Sequence, residues 1–310
     1  MFVVIAGPTG TGKSETAVET ALKINGEIIS ADSMQIYRSM DIGTYKIKEE
    51  EMRGVPHHMI SAVEPDRNFS VSRFKKKAEK LMDSIKKRGR IPVIAGGTGL
   101  YIHAVVKGLF DADEAQTSLK EHLRELLKEK GKGYLYSMLK QKDPEEARVI
   151  DKDNPRRLIR ALEIIMTHGK KVSDLKKNTA ETAYRDACAF FVLKMDRKKL
   201  CDRIDARVDS MVEGGLVEEV EALRKAGVKD SAVSMQAIGY KEIIDYIHGK
   251  TSKSGAILNI KQNTRKYAKR QVTWFKKYEE AVWIDVTNRA PKQAAGEIIK
   301  ILNSSLEIRE

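Results

Sequence analysis

The sequence Gly7-Pro8-Thr9-Gly10-Thr11-Gly12-Lys13-Ser14 matches the pattern G-x-x-x-x-G-K-[ST]. It follows directly after an apolar run at residues 2–6 and opens a segment with helical periodicity. In this setting glycines let the loop curl tightly, so that backbone N–H groups converge on an anion at a helix N-terminus. Lys13 is expected to contact terminal phosphate oxygens, and the Ser14 hydroxyl to hold a magnesium ion. The pattern predicts a site for a di- or triphosphate and leaves open which group the phosphates carry.

Short apolar runs bounded by glycine, proline or polar residues recur along the rest of the chain. They lie at 2–7, 27–30, 58–60, 91–96, 188–195 and 282–286. Such runs suit strands that are buried on both faces of a mostly parallel sheet. Segments with helical spacing of apolar residues, such as 14–24 and 71–88, separate several of them. The alternation predicts an α/β fold with a P-loop NTPase-like core, in which helices flank the sheet and the last strand lies at an edge.

A helical block interrupts this alternation. Strand patterns are missing between residue 111 and about residue 183, where amphipathic helices are expected at 119–130, 134–140 and 155–168. The sequence therefore predicts an inserted all-helical subdomain, taken as 111–186. The α/β core comprises 1–110 and 187–310 and carries basic C-terminal helices.

The composition limits the class of protein. The chain has 310 residues, 41% of them apolar, so a sizeable core can form and intrinsic disorder is excluded. Its 57 Lys and Arg outnumber 44 Asp and Glu, and the net charge of +13 favours a polyanionic partner. Its 2 cysteines have no zinc-binding spacing. No apolar run is long enough for a membrane helix and the N-terminus lacks a basic signal segment, so we expect a cytoplasmic protein with no membrane partner.

Two further segments are expected beside the phosphate loop. Asp32 follows the second predicted strand, and Gly96-Gly97-Thr98-Gly99 follows the fourth. Because the carboxyl ends of parallel strands border one ligand crevice, the loop, Asp32 and Thr98 should share a rim. Asp32 could there be a metal ligand, a general base, or only the N-cap of a helix.

Three basic segments have helical spacing. Residues 261–278, KQNTRKYAKRQVTWFKKY, contain seven Lys or Arg, no acid and four aromatic residues. They fit either an RNA-binding helix or an amphipathic helix whose aromatics face the core. In a second segment Asn154 can cap a helix that carries Arg156, Arg157 and Arg160. In a third, Arg203 and Arg207 share one helical face, and ion pairs with Asp202 and Asp205 are the alternative to ligand binding.

As a set, these segments resemble the bacterial tRNA dimethylallyltransferases, also called tRNA isopentenyltransferases. The matching segments, in the family's order, are GPTGTGKS (7–14), SADSMQIYR (30–38), DIGT (41–44), GGTGLY (96–101), NPRRLIRALE (154–163), QAIGYKE (236–242) and TRKYAKRQVTWF (264–275). The C-terminal zinc-finger extension of eukaryotic relatives is not in this sequence, which is why it resembles the bacterial form.

The resemblance implies transfer of a dimethylallyl group from dimethylallyl diphosphate to the exocyclic N6 amine of the adenosine 3′ of the anticodon. It implies Asp32 as the general base, Thr98 as a contact to that adenosine and Lys13 as a catalytic cation. The implied donor-binding residues are Gly7, Pro8, Thr9, Gly10, Thr11, Gly12, Lys13, Ser14 and Arg207. The implied tRNA-binding residues are Asp32, Ser33, Met34, Gln35, Thr98, Lys120, Arg156, Arg157, Leu158, Ile159, Arg160, Gln236, Gly239, Tyr240, Lys241, Lys269, Arg270, Gln271, Thr273, Trp274 and Lys276. Lys120 rests only on gap-free spacing from Thr98.

The expected partners are the anticodon stem-loop of tRNA, dimethylallyl diphosphate and Mg²⁺, and a monomer is expected. A P-loop small-molecule kinase is the alternative, since ATP would fit the same loop and Asp32 could act on a hydroxyl. That alternative leaves the acid-free segment 261–278 without a role. A nucleic-acid-binding module without activity would leave Lys13, Ser14 and Asp32 unexplained together.

Overall fold

The computed structural model describes residues 1–109, 117–177, 183–184 and 186–307. Contacts within the chain divide it into two units, one formed by 1–103 with 185–310 and the other by 104–184. The sequence predicts limits of 111 and 186 for the insertion, and the first of these lies outside the described residues.

The first unit is built on a parallel sheet. Among the described residues its strands are β1 Phe2–Ala6, β2 Gly26–Ser30, β3 His57–His58, β4 Ile91–Gly96, β5 Cys188–Lys194 and β6 Val282–Asp285. Their order is β3-β2-β4-β1-β5-β6, and every neighbouring pair is parallel. The predicted α/β core and edge position of the last strand are confirmed. Since all strands run the same way, the segments after β1, β2 and β4 emerge at one edge.

Helices connect the strands. In the described residues they are α1 Lys13–Lys23, α2 Glu49–Met52, α3 Val71–Lys87, α4 Gly99–Val106, α5 Thr117–Lys142, α6 Pro144–Val149, α7 Pro155–His168, α8 Val172–Lys177, α9 Arg197–Glu213, α10 Leu216–Lys225, α11 Tyr240–Ile247, α12 Lys253–Phe275 and α13 Pro291–Glu307. On one sheet face, Val3 and Ile5 of β1 pack with Ala17 of α1 and Ile298 of α13 in one buried cluster. Burial of this apolar surface fixes α1, and with it the loop that precedes α1.

The second unit is helical. Its core contains Leu123 and Leu139 of α5 with Leu158 and Leu162 of α7. The two helices expected at 119–130 and 134–140 are α5, which is interrupted at Gly131 by a non-helical φ of 77°. Asp143 accepts hydrogen bonds from the Ser173 amide and hydroxyl, at 2.9 and 2.8 Å, and so ties α8 to the start of α6. None of the described helices combines the length and the hydrophobicity that a membrane span requires.

Candidate active site

A cavity of about 430 Å³ opens at the carboxyl edge of the sheet in the first unit. The loops after β1, β2 and β4 contribute to its lining, and α9 and α12 contribute side chains from the other side. Lys13, Asp32, Gly97 and Arg207 are among the lining residues. The fold therefore brings the phosphate loop and Asp32 to one rim, as the strand pattern predicts.

The loop before α1 leaves the N-terminus of that helix open to an anion. Gly12 is the N-cap with φ 78° and ψ 28°, a left-handed conformation that favours glycine, and it supplies no side chain to cap the helix. The N–H groups of the first helical turn, including those of Lys13 and Ser14, have no acceptor in a regular helix. Thr11 Oγ1 and Lys13 Nζ each donate to the Pro8 carbonyl at 2.8 Å, which closes the loop. Ser14 is exposed at the second helical position.

Two cations meet at this loop. Burial, and then the charge of Arg207, lower the pKa of Lys13 against the opposing charge of Asp32, with a net value of about 7. Burial likewise lowers the pKa of Arg207 to about 10, opposed by the charge of Asp32. The cations repel each other and have lost water, so an anion placed between them would satisfy both.

Arg207 of α9 is held between the phosphate loop and the segment after β2. Its guanidinium donates to Thr9 Oγ1 and to the Thr44 carbonyl, each at 3.1 Å. Its Cζ lies 4.1 Å from the centre of the Tyr45 ring, a cation–π contact. The intrahelical alternative is wrong for Arg207, because Asp205 forms its ion pair with Arg265 of α12 instead.

Asp32 caps the turn that follows β2. Its Oδ1 accepts from the amides of Met34 and Gln35 at 2.9 and 3.3 Å. The segment that follows forms turns, so Asp32 caps a turn, and the helix N-cap interpretation is wrong. The second oxygen, Oδ2, has no hydrogen-bond partner among the described residues and can accept a proton. Thr98 Oγ1 accepts from the Ser33 amide at 3.0 Å, which joins the segments after β2 and β4.

Gln271 of α12 connects the phosphate loop after β1 with the segment after β4. Its Oε1 accepts from the Thr9 amide at 2.9 Å, and its Nε2 donates to the Gly97 carbonyl at 2.8 Å. A Cβ at Gly97 would lie 2.2 Å from Gln271 Nε2, so only glycine permits this approach. Tyr267, one helical turn earlier, also lines the cavity, and burial raises the pKa of its hydroxyl to about 12.

The segment 261–278 divides its residues between the core and solvent. Phe275 and Tyr278 are buried and lie edge-on to Phe190 of β5, so they are core residues and cannot stack on RNA bases. The amphipathic interpretation is correct for these two aromatics. The basic side chains Lys269 and Arg270 are exposed. The segment is thus an amphipathic helix end with a basic outer face.

The remaining predicted tRNA-binding residues lie in several places. Gln236 and Lys241 are exposed near the amino end of α11, whereas Gly239 and Tyr240 are buried there. Thr273 and Lys276 are exposed on the same side of the chain as Lys269, and Trp274 is half-buried with its ring against Gly99. Gln35 donates to the Thr44 carbonyl at 3.3 Å, beside the Arg207 contact.

In the helical unit, the predicted cap is present: Asn154 Oδ1 accepts from the Arg157 amide at 3.3 Å. Arg156 and Arg157 are exposed, and Arg160 contacts Glu163 at 3.3 Å. Leu158 is fully buried in the helical core and Ile159 packs against it, so their side chains stabilise the unit. Lys120 is half-buried in α5.

Sequence reasoning missed two residues that organise the site, Glu219 and Tyr45. The Glu219 carboxylate of α10 accepts from the amides of Asp41 and Ile42 at 2.8 and 2.7 Å. Tyr45 forms the platform under Arg207. Glu219 lies 176 residues from Gly43, another of its partners, and no local pattern marks such a contact. The DIGT motif at 41–44 was the one available indication that this loop has a role.

The residues at the rim fit a magnesium ion that is shared with a phosphate ligand. Magnesium keeps several waters and takes few protein ligands when it binds with phosphates. The exposed Ser14 hydroxyl and the Asp32 carboxylate both line the cavity. Within the described residues, no group of three or more His, Cys, Asp or Glu could hold a metal on its own.

Comparison with known proteins relates the chain to one family. The family model described as IPP transferase matches residues 35–278. A tRNA dimethylallyltransferase of Bacillus cereus is 44% identical over 308 residues, which are 99% of this chain and 95% of that protein. A tRNA dimethylallyltransferase of Caldanaerobacter subterraneus is 46% identical over 288 residues, 92% of this chain and 91% of its own.

Solved structures agree with the sequence matches. The crystal structure of the full-length tRNA isopentenylpyrophosphate transferase of Bacillus halodurans has a TM-score of 0.74 at 41% identity, covering 99% of this chain and 96% of that one. A eukaryotic dimethylallyltransferase described as acting on tRNA has a TM-score of 0.85 at 29% identity. The match covers 100% of this chain and 80% of that chain. Since the family model and relatives well above 30% identity span most or nearly all of its length, the chain belongs to the IPP transferase family.

Proposed function

We propose that this protein transfers a dimethylallyl group from dimethylallyl diphosphate to the N6 amine of the adenosine that follows the anticodon of tRNA, and releases diphosphate. The observation that carries the proposal is one cavity lined by a phosphate loop with Lys13, a second cation at Arg207 and a carboxylate at Asp32. The names of the relatives support a tRNA substrate and a dimethylallyl or isopentenyl donor.

The cations act on the leaving group. As the bond between the donor's first carbon and the diphosphate oxygen breaks, negative charge accumulates on the diphosphate. The N–H groups at the start of α1, the Lys13 ammonium and the Arg207 guanidinium all stabilise that charge. Because both cations are desolvated and repel each other, they stabilise the charge of the anion more strongly at this site than they would in water.

The carboxylate acts on the nucleophile. The N6 lone pair of adenine is delocalised into the ring, so the amine is a poor nucleophile until its proton is removed. In the proposed step the nitrogen electron pair forms the new N–C bond and the N6 proton passes to Asp32 Oδ2. The other oxygen, Oδ1, stays bonded to the Met34 amide and fixes the carboxylate. Tyr267 lines the cavity, and Thr98, which accepts from the amide of the cavity-lining Ser33, is proposed to orient the adenine ring.

Magnesium fits this proposal as a cation bound to the diphosphate. Ser14 is the residue that would hold it, directly or through water. When bound it would neutralise part of the diphosphate charge. A monomeric state and a cytoplasmic location stay predictions.

The RNA substrate accounts for the positive charge of the chain. An anticodon loop presents unpaired bases on a phosphate backbone, and its target base must leave the stack to reach a recessed site. The exposed basic face at Lys269, Arg270 and Lys276 and the net charge of +13 suit such a polyanion. Nothing in the comparisons supports the small-molecule kinase alternative.

The proposal is tested by mapping the modified position. Unmodified tRNA is incubated with the protein, magnesium and labelled dimethylallyl diphosphate, and is then digested to nucleosides. We expect the label in one N6-substituted adenosine. The same tRNA with uridine after the anticodon serves as the control, and equal labelling of both tRNAs would contradict the proposed acceptor.

A further inference from the structure

One polar cluster that the proposed mechanism does not use is centred on Glu219 of α10. Its Oε2 accepts from the Asp41 and Ile42 amides at 2.8 and 2.7 Å. Its Oε1 accepts from the Gly43 amide at 3.0 Å and from the Tyr240 hydroxyl at 2.6 Å. One carboxylate therefore receives four donors, three of them consecutive amides of a single loop.

This loop, residues 41–45, is also held from its other sides. Lys46 Nζ donates to Asp41 Oδ1 at 2.6 Å and to the Tyr37 carbonyl at 2.7 Å. A Cβ at Gly43 would lie 2.5 Å from a ring carbon of Tyr240, so the loop is pressed against the buried tyrosine. A charge-assisted acceptor for three amides makes the loop conformation strongly preferred.

The end of the loop carries the contacts that place Arg207. Thr44 offers its carbonyl to the guanidinium at 3.1 Å, and the Tyr45 ring lies under it at 4.1 Å. Arg207 in turn reaches Thr9 of the phosphate loop. A continuous set of contacts thus runs from Glu219 through the loop to Arg207 and the phosphate site.

We propose that Glu219 is a positioning residue that holds loop 41–45 so that Arg207 is preorganised to bind a diphosphate. Glu219 acts through the loop, not on the ligand. If the Arg207 guanidinium becomes ordered only when the ligand binds, the loss of its conformational entropy reduces the binding affinity. Weakening the loop should therefore weaken diphosphate binding. The inference rests on the proposed function only for the identity of the ligand as a diphosphate.

The variant Glu219→Gln tests this with little change in size. An amide can accept only through its oxygen, so either the Oε1 or the Oε2 donors would face an NH₂ group instead. We expect the affinity for inorganic pyrophosphate in the presence of magnesium, measured by calorimetry, to fall about 10-fold or more. The concentration of donor needed for half-maximal transfer should rise similarly, while the requirement for tRNA changes little. Glu221→Gln, an exposed glutamate of the same helix, is the matched control.

A double-mutant cycle with Arg207→Gln separates positioning from general stability. If Glu219 acts through Arg207, adding Glu219→Gln to Arg207→Gln should cost no further pyrophosphate affinity, to within about twofold. Independent, additive losses would overturn the inference, as would wild-type pyrophosphate affinity in Glu219→Gln. If Glu219→Gln does not fold, Tyr240→Phe removes one donor and is put through the same cycle, where additivity would again overturn it. Pyrophosphate binding needs no transfer reaction, so this result stands apart from any failure of the wild-type protein to modify tRNA.

Discussion

The pKa of Lys13 is strongly lowered, and this predicts that donor binding depends on pH. Its pKa in the free protein is lowered to about 7, chiefly by burial and then by Arg207. Above pH 7 the free protein holds Lys13 neutral, but a bound diphosphate favours the ammonium. Donor binding must then take up a proton, and the affinity should fall by up to about tenfold per pH unit above pH 7. Below that pH the ammonium is already present and this dependence disappears.

The measurement is pyrophosphate or donor affinity at pH 6 to 9, with proton uptake read from calorimetry in buffers of different ionisation enthalpy. Lys13→Met serves as the control because it has no proton to gain. We expect its affinity to be weaker and its dependence between pH 7 and 9 to be lost. An identical slope in the variant would show that another group titrates.

Asp32 is predicted to affect rate more than binding. Asp32→Asn keeps the shape and the Oδ1 acceptor for the Met34 amide but cannot take up a proton. Single-turnover transfer should slow by about 10²- to 10⁴-fold, with donor and tRNA affinities nearly unchanged. Were Asp32 mainly a magnesium ligand, donor binding would weaken and high magnesium would restore it. Rates and donor affinities across a magnesium series distinguish these outcomes.

At the scale of elements, α12 joins the two loops of the site through Gln271. Its side chain is buried and satisfies the Thr9 amide and the Gly97 carbonyl. Gln271→Ala would leave both backbone groups without these partners, each costing about 1–3 kcal/mol where it stays dry. We expect urea unfolding to show a loss of about 2 kcal/mol or more in the free energy of unfolding. Gln262→Ala, on the exposed face of the same helix, should cost little.

Local patterns predict the elements of the core and the motifs at its rim. The strand pattern at 91–96 corresponds to β4, and the capping signal at Asn154 starts α7 at Pro155. These succeed because apolar periodicity and capping act between near neighbours. The site depends on contacts between distant residues, such as Gln271 with Thr9, 262 positions apart. Such pairs arise only from how α10 and α12 pack on the core.

The basic segment 261–278 likewise has features that local sequence patterns cannot predict. Composition alone allows its aromatic residues to face RNA or the core, because both arrangements have helical spacing. Packing against β5 decides the matter for Phe275 and Tyr278, which lie within 6.4 Å of the Phe190 ring, centre to centre. Five of the seven basic residues, Lys266, Lys269, Arg270, Lys276 and Lys277, are exposed, whereas Lys261 and Arg265 are half-buried and pair with Asp209 and Asp205 of α9.

At the scale of the whole molecule, the charge of +13 predicts a salt-dependent affinity for tRNA. Neutralising Lys269 and Arg270 together should reduce the slope of log affinity against log salt concentration by up to about two units. Replacing two other exposed lysines, Lys23 and Lys300, by Gln removes the same charge elsewhere and should change the slope less. Equal effects of the two pairs of substitutions would mean that only the net charge attracts tRNA, and that Lys269 and Arg270 do not contact its phosphates.

In the proposed reaction, the phosphate loop binds a prenyl diphosphate whose carbon group moves to tRNA. Two parallel reactions with unmodified tRNA and magnesium test it, one with dimethylallyl diphosphate labelled in its carbon chain and one with ATP labelled at its terminal phosphate. We predict that the carbon label becomes tRNA-bound in an amount limited by tRNA, while the ATP label is neither transferred nor released. Transfer or release of the terminal phosphate of ATP, with no carbon label on tRNA, would contradict the claim and favour a kinase.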